Sequence, residues 1–329
     1  MVHGFRFFLS LLLLVPLGQL QAELPDRAVE SALRGSDIAP LFELVDTERL
    51  ADRAGLDRRA ARAFGQAREQ LATQRFNRHR LYTRGERLLL RLDLAPRGLN
   101  WLELSWHDPE SETPLTDWHD HALGIRLSEL VAAVAMLLEG SDGRRFLEAL
   151  EEDPEGAWEG LPEKLRRNPA APRLFWLSCD GADCHVSAME AMEALDDDEP
   201  ALWRLDLAAA RDDAEGFREV LDRMEERVGP DPGLTWLAAA DALRAGDCDD
   251  VVHDVQDAMT QWPDYQPLYP VMIQCLVLRD QYRQALQFFT VMEEHFGVQM
   301  DWDALGRHPV YRELVTSEEF RRWKQERQE

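Results

Sequence analysis

Between residues 198 and 299 the apolar positions repeat at a fixed interval. Ala214, Phe217, Leu221 and Met224 stand at i, i+3, i+7 and i+10. The same spacing returns 34 residues later at Cys248, Val251, Val255 and Ala258, and again at Tyr282, Ala285, Phe289 and Met292. Each set is one face of an amphipathic helix. Its return at a constant interval predicts an α-solenoid of stacked helical hairpins, in which each unit buries surface only against its neighbours. First helices are expected near 199–211, 232–245 and 266–279, and second helices near 213–227, 248–261 and 281–295. From Trp302 to Trp323 the chain carries Leu305, Pro309, Tyr311, Leu314 and Phe320 but leaves the template. Residues 300–329 are therefore expected to form capping helices over the last apolar face.

Upstream the pattern changes twice. A helical block is predicted from about Asp26 to Arg75, punctuated by Pro25 and Pro40, with Asp46 and Asp57 as N-caps. Leu88, Leu90, Leu92 and Leu94 then alternate with Leu89, Arg91 and Asp93, and Ala95-Pro96-Arg97-Gly98 turns the chain. A second strand is expected at Asn100–Trp106, a polar connection at Asp108–Pro114 and a third strand at Leu115–His121. Helical spacing resumes through Leu127, Leu130, Val131, Val134 and Leu138. Six Gly and Pro residues between Gly143 and Pro169 leave room only for short helices. The expected fold is mainly α. A small α+β domain with a three-stranded antiparallel meander spans 23–140, a helical junction 141–197 and the hairpins 198–299.

Residues 1–22 bear on the compartment. Arg6, the apolar run Phe7–Leu17 and Leu20-Gln21-Ala22 ahead of Glu23 read as a cleavable signal peptide. No later stretch approaches the ~18 uncharged apolar residues of a membrane span. The mature chain is thus expected in a Gram-negative periplasm or outside the cell, with no transmembrane segment after cleavage. Four cysteines fit that oxidising address. Cys179 and Cys184 bracket an Asp180-Gly181 turn, while Cys248 and Cys275 fall on neighbouring elements of consecutive hairpins; the sequential pairing is expected.

The net charge is −25, one unit more negative once Arg6 is removed, which argues against duplex nucleic acid as a ligand. The charge is uneven. From Arg53 to Arg97, 12 arginines face Asp57, Glu69, Glu86 and Asp93. Such a segment suits an anionic lipid headgroup, or else the protein's own acidic repeats.

The interval of 34, Gly246 at a turn, Ala258 in a second helix, Pro263 at its end and Tyr282 with Ala285 in the next unit resemble tetratricopeptide repeats. The resemblance covers residues 198–299 and is degenerate. Arg204 and Leu205 stand where that family prefers a large apolar and then a small residue, and Gly229 where Pro is usual. It implies a non-enzymatic scaffold that binds a peptide or protein on a concave face, without a cofactor. In that register the groove is lined by Glu199, Leu202 and Asp206, then Trp236, Ala240 and Arg244, then Gln274 and Leu278. Trp236 and Leu202 would anchor an apolar side chain of the partner. More loosely, Asn100–Leu104 with Asp117–Gly124 is similar to a segment of uncharacterised exported bacterial repeat proteins. That resemblance puts tyrosines in place of His119 and His121, which favours aromatic packing there.

A second chemistry is possible at the two histidine-rich strands. If they pair, Asp117, His119 and His121 share one face and His107 approaches across the hairpin, enough donors for an open zinc site and a metal enzyme or carrier. Neither a Gly-x-Ser-x-Gly elbow nor a phosphate-binding glycine loop is present, and paired carboxylates are too abundant to single out an acid/base couple.

Overall fold

The computed structural model describes residues 25–56, 60–94, 98–195 and 199–327; the expected signal peptide lies outside them. Four helices open the chain, α1 to α4 (Asp26–Ala32, Ala39–Phe42, Thr47–Arg53, Ala60–Leu71). An antiparallel sheet comes next: β1 (Phe76–Arg84), β2 (Arg87–Leu94), β3 (Leu99–Trp106), β4 (Leu115–Asp120) and β5 (Ile125–Arg126), paired in sequence order. Then come α5 to α10 (Leu127–Glu139, Ser141–Ala149, Pro154–Gly160, Glu163–Arg166, Ala170–Ser178, Ala182–Glu193). Three helix pairs succeed them: α11 and α12 (Leu202–Ala210, Ala214–Val228), α13 and α14 (Pro232–Arg244, Asp249–Gln261), α15 and α16 (Leu268–Leu278, Tyr282–Glu294). The last helices are α17 to α19 (Trp302–Arg307, Arg312–Thr316, Glu318–Glu326).

The meander has five strands rather than three. β1 escapes the apolar reading because it is an edge strand, whose Asn77, Arg78, Arg80 and Thr83 face solvent, and charged edges resist pairing with other chains. At the other end β5 pairs only His119 with Arg126 and Asp120 with Ile125, too short to leave a periodic trace.

Both faces of the sheet are buried. Leu88, Leu90 and Leu92 of β2 with Leu102 and Leu104 of β3 join a core built with α1–α6, α9 and α10, which runs from Val29 to Ala188. The alternate residues, Leu89, Leu99 and Trp101, form a separate core with Leu202, Phe217 and Leu234 of the first helix pairs. The expected boundaries at 140 and 197 are thus each crossed by a hydrophobic cluster. Gly233 shows how closely α13 approaches: a Cβ there would lie 2.9 Å from Leu99 Cδ1 and 3.3 Å from Trp101.

The three helix pairs share one turn. Asp212, Gly246 and Asp280 adopt left-handed φ of 54°, 83° and 57°, at intervals of 34. One residue later, the amides of Asp213, Asp247 and Gln281 donate to the carbonyls of Ala208, Ala242 and Leu276 at 2.9, 2.9 and 2.8 Å. This closes each first helix with a Schellman-type bond that supplies its orphan carbonyls. Phe217, Met224, Val251, Val255, Ala258, Ala285, Phe289 and Met292 of the periodic stripe are buried. A third cluster joins the second and third pairs to α18 and α19 through Leu314 and Phe320.

Charged strand residues clasp the loops between pairs. The Arg91 guanidinium donates to both carboxylate oxygens of Asp231, the α13 N-cap, at 2.9 and 3.1 Å, and lies 3.1 Å from Asp93. It also stacks 4.6 Å from the Tyr265 ring. Burial disfavours the Arg91 charge, and Asp231 and Asp93 more than restore it, so its pKa is raised. Arg78 donates to Asp264 O and Gln266 Oε1, Tyr82 to Val228 O, Arg84 to Glu225 O and Arg87 to Arg227 O. Four of the segment's twelve arginines, Arg78, Arg84, Arg87 and Arg91, are therefore spent on the protein's own helix pairs. Arg68 pairs with Glu43 and Arg53 with Asp117, while Asp57, Arg58, Arg59 and Arg97 lie outside the described residues.

Cys179–Cys184 and Cys248–Cys275 are bridged, with Cα–Cα distances of 5.6 and 5.3 Å. The second bridge ties the α14 N-cap to α15 across 27 residues. Removing it by Cys248→Ala with Cys275→Ala should lower the urea unfolding free energy by about 3–4 kcal/mol, the chain-entropy value for such a loop; no change would mean that the bridge constrains nothing. Arg91→Met leaves Asp231 and Asp93 buried without their cation and should cost about 3–5 kcal/mol in the same assay, whereas a loss below about 1 kcal/mol, the range of exposed pairs, would show that solvent reaches the clasp.

Candidate functional site

The histidines do not converge. His107 lies just after β3 at the turn end of the β3–β4 hairpin, where its Nε2 lies 3.1 Å from Thr113 O and 3.3 Å from Asp46 Oδ2. His119 sits opposite Glu103, four residues before His107 in the chain. His121 lies beyond the end of β4, in the turn after it, so the expected strand face shared with Asp117 does not form. Asp117 turns instead to α5, accepting from Ser128 Oγ at 2.7 Å and Ser128 N at 3.0 Å. His119 and His121 are buried and pack edge to face, with ring centroids 4.6 Å apart. Among the described residues no group of three or more His, Cys, Asp or Glu is arranged to hold a metal ion.

The turn after β4 is an internal joint. Asp120 Oδ1 accepts from Asn100 Nδ2, Ala122 N and Leu123 N at 3.0, 2.9 and 3.1 Å. Arg173 of α9, also buried, donates to the carbonyls of Leu123 and Gly124. The His121 backbone accepts from Leu202 N, which ties the joint to the start of α11. Burial pushes the Asp120 carboxyl up to about 6 from 3.8, with the three donors and Arg173 opposing. Burial, then His119 and Arg227, drive His121 well below its ordinary 6.5. These groups act oppositely on stability. The stability due to neutral His121 is present above its unfolded value and lost as pH falls through 6.5, whereas Asp120 holds its proton more tightly when folded and adds stability as pH falls through about 6. Asp120→Asn should therefore be more stable than the parent at pH 8 by about 1–3 kcal/mol, the gap closing toward pH 4. Urea titrations at both pH values check this, and a gap that does not depend on pH would contradict the assignment.

Of the eight expected groove residues, only Leu202 is buried. Leu202 is buried in the core that α11 shares with Leu89, Leu99 and Trp101, so it lines no groove: the sheet's second face, for which no local sequence signal names a cover, occupies that side. Trp236 is half-buried and packs against both the sheet core and the core of the later pairs. Arg244 is held by Asp212 and Asp241 at 2.6 and 2.9 Å. Ala240 and Gln274 are half-buried, while Glu199 and Asp206 lie at the surface with Leu278, 49% exposed.

Open space lies instead on another face of α13. A cleft of about 540 Å³ runs between α12 and α14, with α13 beneath, and none of the eight expected groove residues lines it. Its apolar lining comes from Leu221, Leu234, Val251, Ala258 and Trp262, with Ala238, Ala239 and Ala242 from α13. Those alanines leave the room, since larger side chains there would bring α13 into contact with both walls. Six lining residues are acidic, Asp222, Glu225, Asp231, Asp247, Asp254 and Asp257, against the single Arg218. Asp231 is buried and neutralised by Arg91. The side chains of Asp222, Glu225, Asp254 and Asp257 are exposed and make no hydrogen bond or ion pair among the described residues. The sequence carries a trace of this, acids on α12 at 222 and 225 and on α14 at 254 and 257, but in so acidic a chain it does not stand out.

No family model, curated protein or solved structure matches the chain. No helix among the described residues is long and apolar enough to cross a membrane.

Proposed function

We propose that the chain is an exported, tetratricopeptide-like scaffold that binds a peptide segment of a partner protein, and that binding takes place in the cleft between α12 and α14 rather than on the concave face. One observation carries this reading. The cleft joins an apolar floor to a rim of polar groups with unused bonding capacity, the combination that lets a site gain from desolvation and still fix orientation. Two bridges, together with the leader-like pattern of residues 1–22, support an address in the periplasm or outside the cell. The expected first-helix groove has lost Leu202 to the core and Arg244 to ion pairs. The lipid reading has lost Arg78, Arg84, Arg87 and Arg91 to internal partners.

Ala238 is exposed on the cleft floor, so Ala238→Trp fills the space without touching the core. Dodecamers selected by peptide display on the oxidised protein should bind the variant about 10-fold more weakly or worse, with an unchanged thermal midpoint. Leu278→Arg, on the expected concave face, should leave binding intact. The opposite pattern would return the site to that face, and equal binding to all three forms would place it on neither.

A further inference from the structure

Resting on that reading, we infer that the cleft selects basic peptide segments, in which arginine or lysine side chains alternate with apolar ones. Four exposed carboxylates stand on two walls, Asp222 and Glu225 on α12 and Asp254 and Asp257 on α14; none forms an ion pair among the described residues, and Arg218 is the single cation in the lining. Like charges gathered across an apolar floor repel one another and raise the local negative potential, so a cation that enters relieves that repulsion as it binds. A neutral or acidic segment gains no such relief.

The same walls already bind arginine from behind. Arg84 of β1 donates to the Glu225 carbonyl, and Arg91 of β2 makes its two-pronged contact with Asp231. Glu225 and Asp231 both line the cleft. The end of α12 and the start of α13 are thus built to receive guanidinium groups: a helix C-terminus offers carbonyls and partial negative charge, and a carboxylate offers a planar fork. Trp262, half-buried in the lining, adds a ring face on which a cation can rest. The aliphatic stems of arginine and lysine suit the alanine and valine floor, and their heads reach the rim. The occupant therefore needs both properties, apolar length to fill the floor and positive charge to answer the rim.

The test uses the full oxidised protein and three fluorescein-labelled dodecapeptides with leucine at alternate positions and arginine, glutamine or glutamate between. Fluorescence anisotropy in 50 mM salt should show the arginine peptide binding at least ~10-fold more tightly than the glutamine one and the glutamate peptide not binding, the preference shrinking as salt rises. Asp254→Asn with Asp257→Asn should weaken the arginine peptide by about 5–10-fold. Glu151→Gln with Glu152→Gln, an equal loss of exposed charge between α6 and α7 and outside the cleft lining, should not. An equal fall in both double variants would mean attraction to an acidic surface at large and would overturn the inference. Tight glutamine-peptide binding that Ala238→Trp abolishes would overturn the charge selection while leaving the peptide-binding cleft standing. Should none of the three peptides bind, while display-selected peptides remain blocked by Ala238→Trp, the basic class is excluded; if those fail too, both readings fall.

Discussion

A small sheet that must be covered on both faces sets the shape of this molecule. In β2 the run Leu88-Leu89-Leu90-Arg91-Leu92-Asp93 has apolar residues at both parities, and an antiparallel sheet with one wet face does not read this way. The N-terminal helices cover one side. The other is left to the C-terminal half of the chain, so α11, α12 and the start of α13 lie against Leu89, Leu99 and Trp101. Arg91 and Asp93 have to be buried on that same face, and they are tolerated because Asp231 and Tyr265 meet them there. Either charge alone would be expelled; together with the N-cap carboxylate they form a closed set.

This constraint breaks the equivalence of the three helix pairs. Their turns are alike, with left-handed residues and i to i−5 bonds recurring at the interval of 34. Their surroundings differ. The first pair spends its inner face on the sheet, and the second and third share a core with α18 and α19. Trp236 stands at the seam and touches both cores, which makes it a packing residue of the joint more than a free anchor. Where two cores of one stack meet, neighbouring helices need not close tightly. The small residues of α13 leave the space between α12 and α14 unfilled at that seam, and the cleft is the result.

How much of this is legible in the sequence depends on which signals are local. A mainly helical chain with a small antiparallel sheet can be read from periods of 3.6 and 2, and both bridges from the leader-like pattern and the cysteine spacing. β1 escapes such a reading because an exposed edge strand, Phe76–Arg84, carries charge where a central strand carries leucine. His121 looks like a strand residue because alternation continues through it, but the chain turns at Asp120, whose carboxylate captures the amides of Ala122 and Leu123. The expected groove residues rest on a family register that assumes an open inner face. Nothing local to Leu202 announces that Trp101, a hundred residues away, will lie on it. The cleft is likewise a relation among three helices, with no motif of its own.

The clasp and the cleft share residues, and this ties them mechanically. Glu225 gives its backbone carbonyl to Arg84 and turns its side chain to the cleft; Asp231 caps α13 through Gly233 N at 2.8 Å and holds Arg91 while lining the same space. The separation of α12 from α13 is therefore set by bonds to the sheet more than by contacts between the two helices. The near wall, the end of α12, is thus tied to the sheet by Tyr82, Arg84 and Arg87, and the start of the floor by the buried Arg91–Asp231 pair. The far wall, α14, is anchored differently, by the Cys248 bridge to α15 at its N-cap. A cleft with one wall tied to the sheet and the other to a disulfide is formed before any ligand arrives, so a peptide bound there would lose little to ordering of the site.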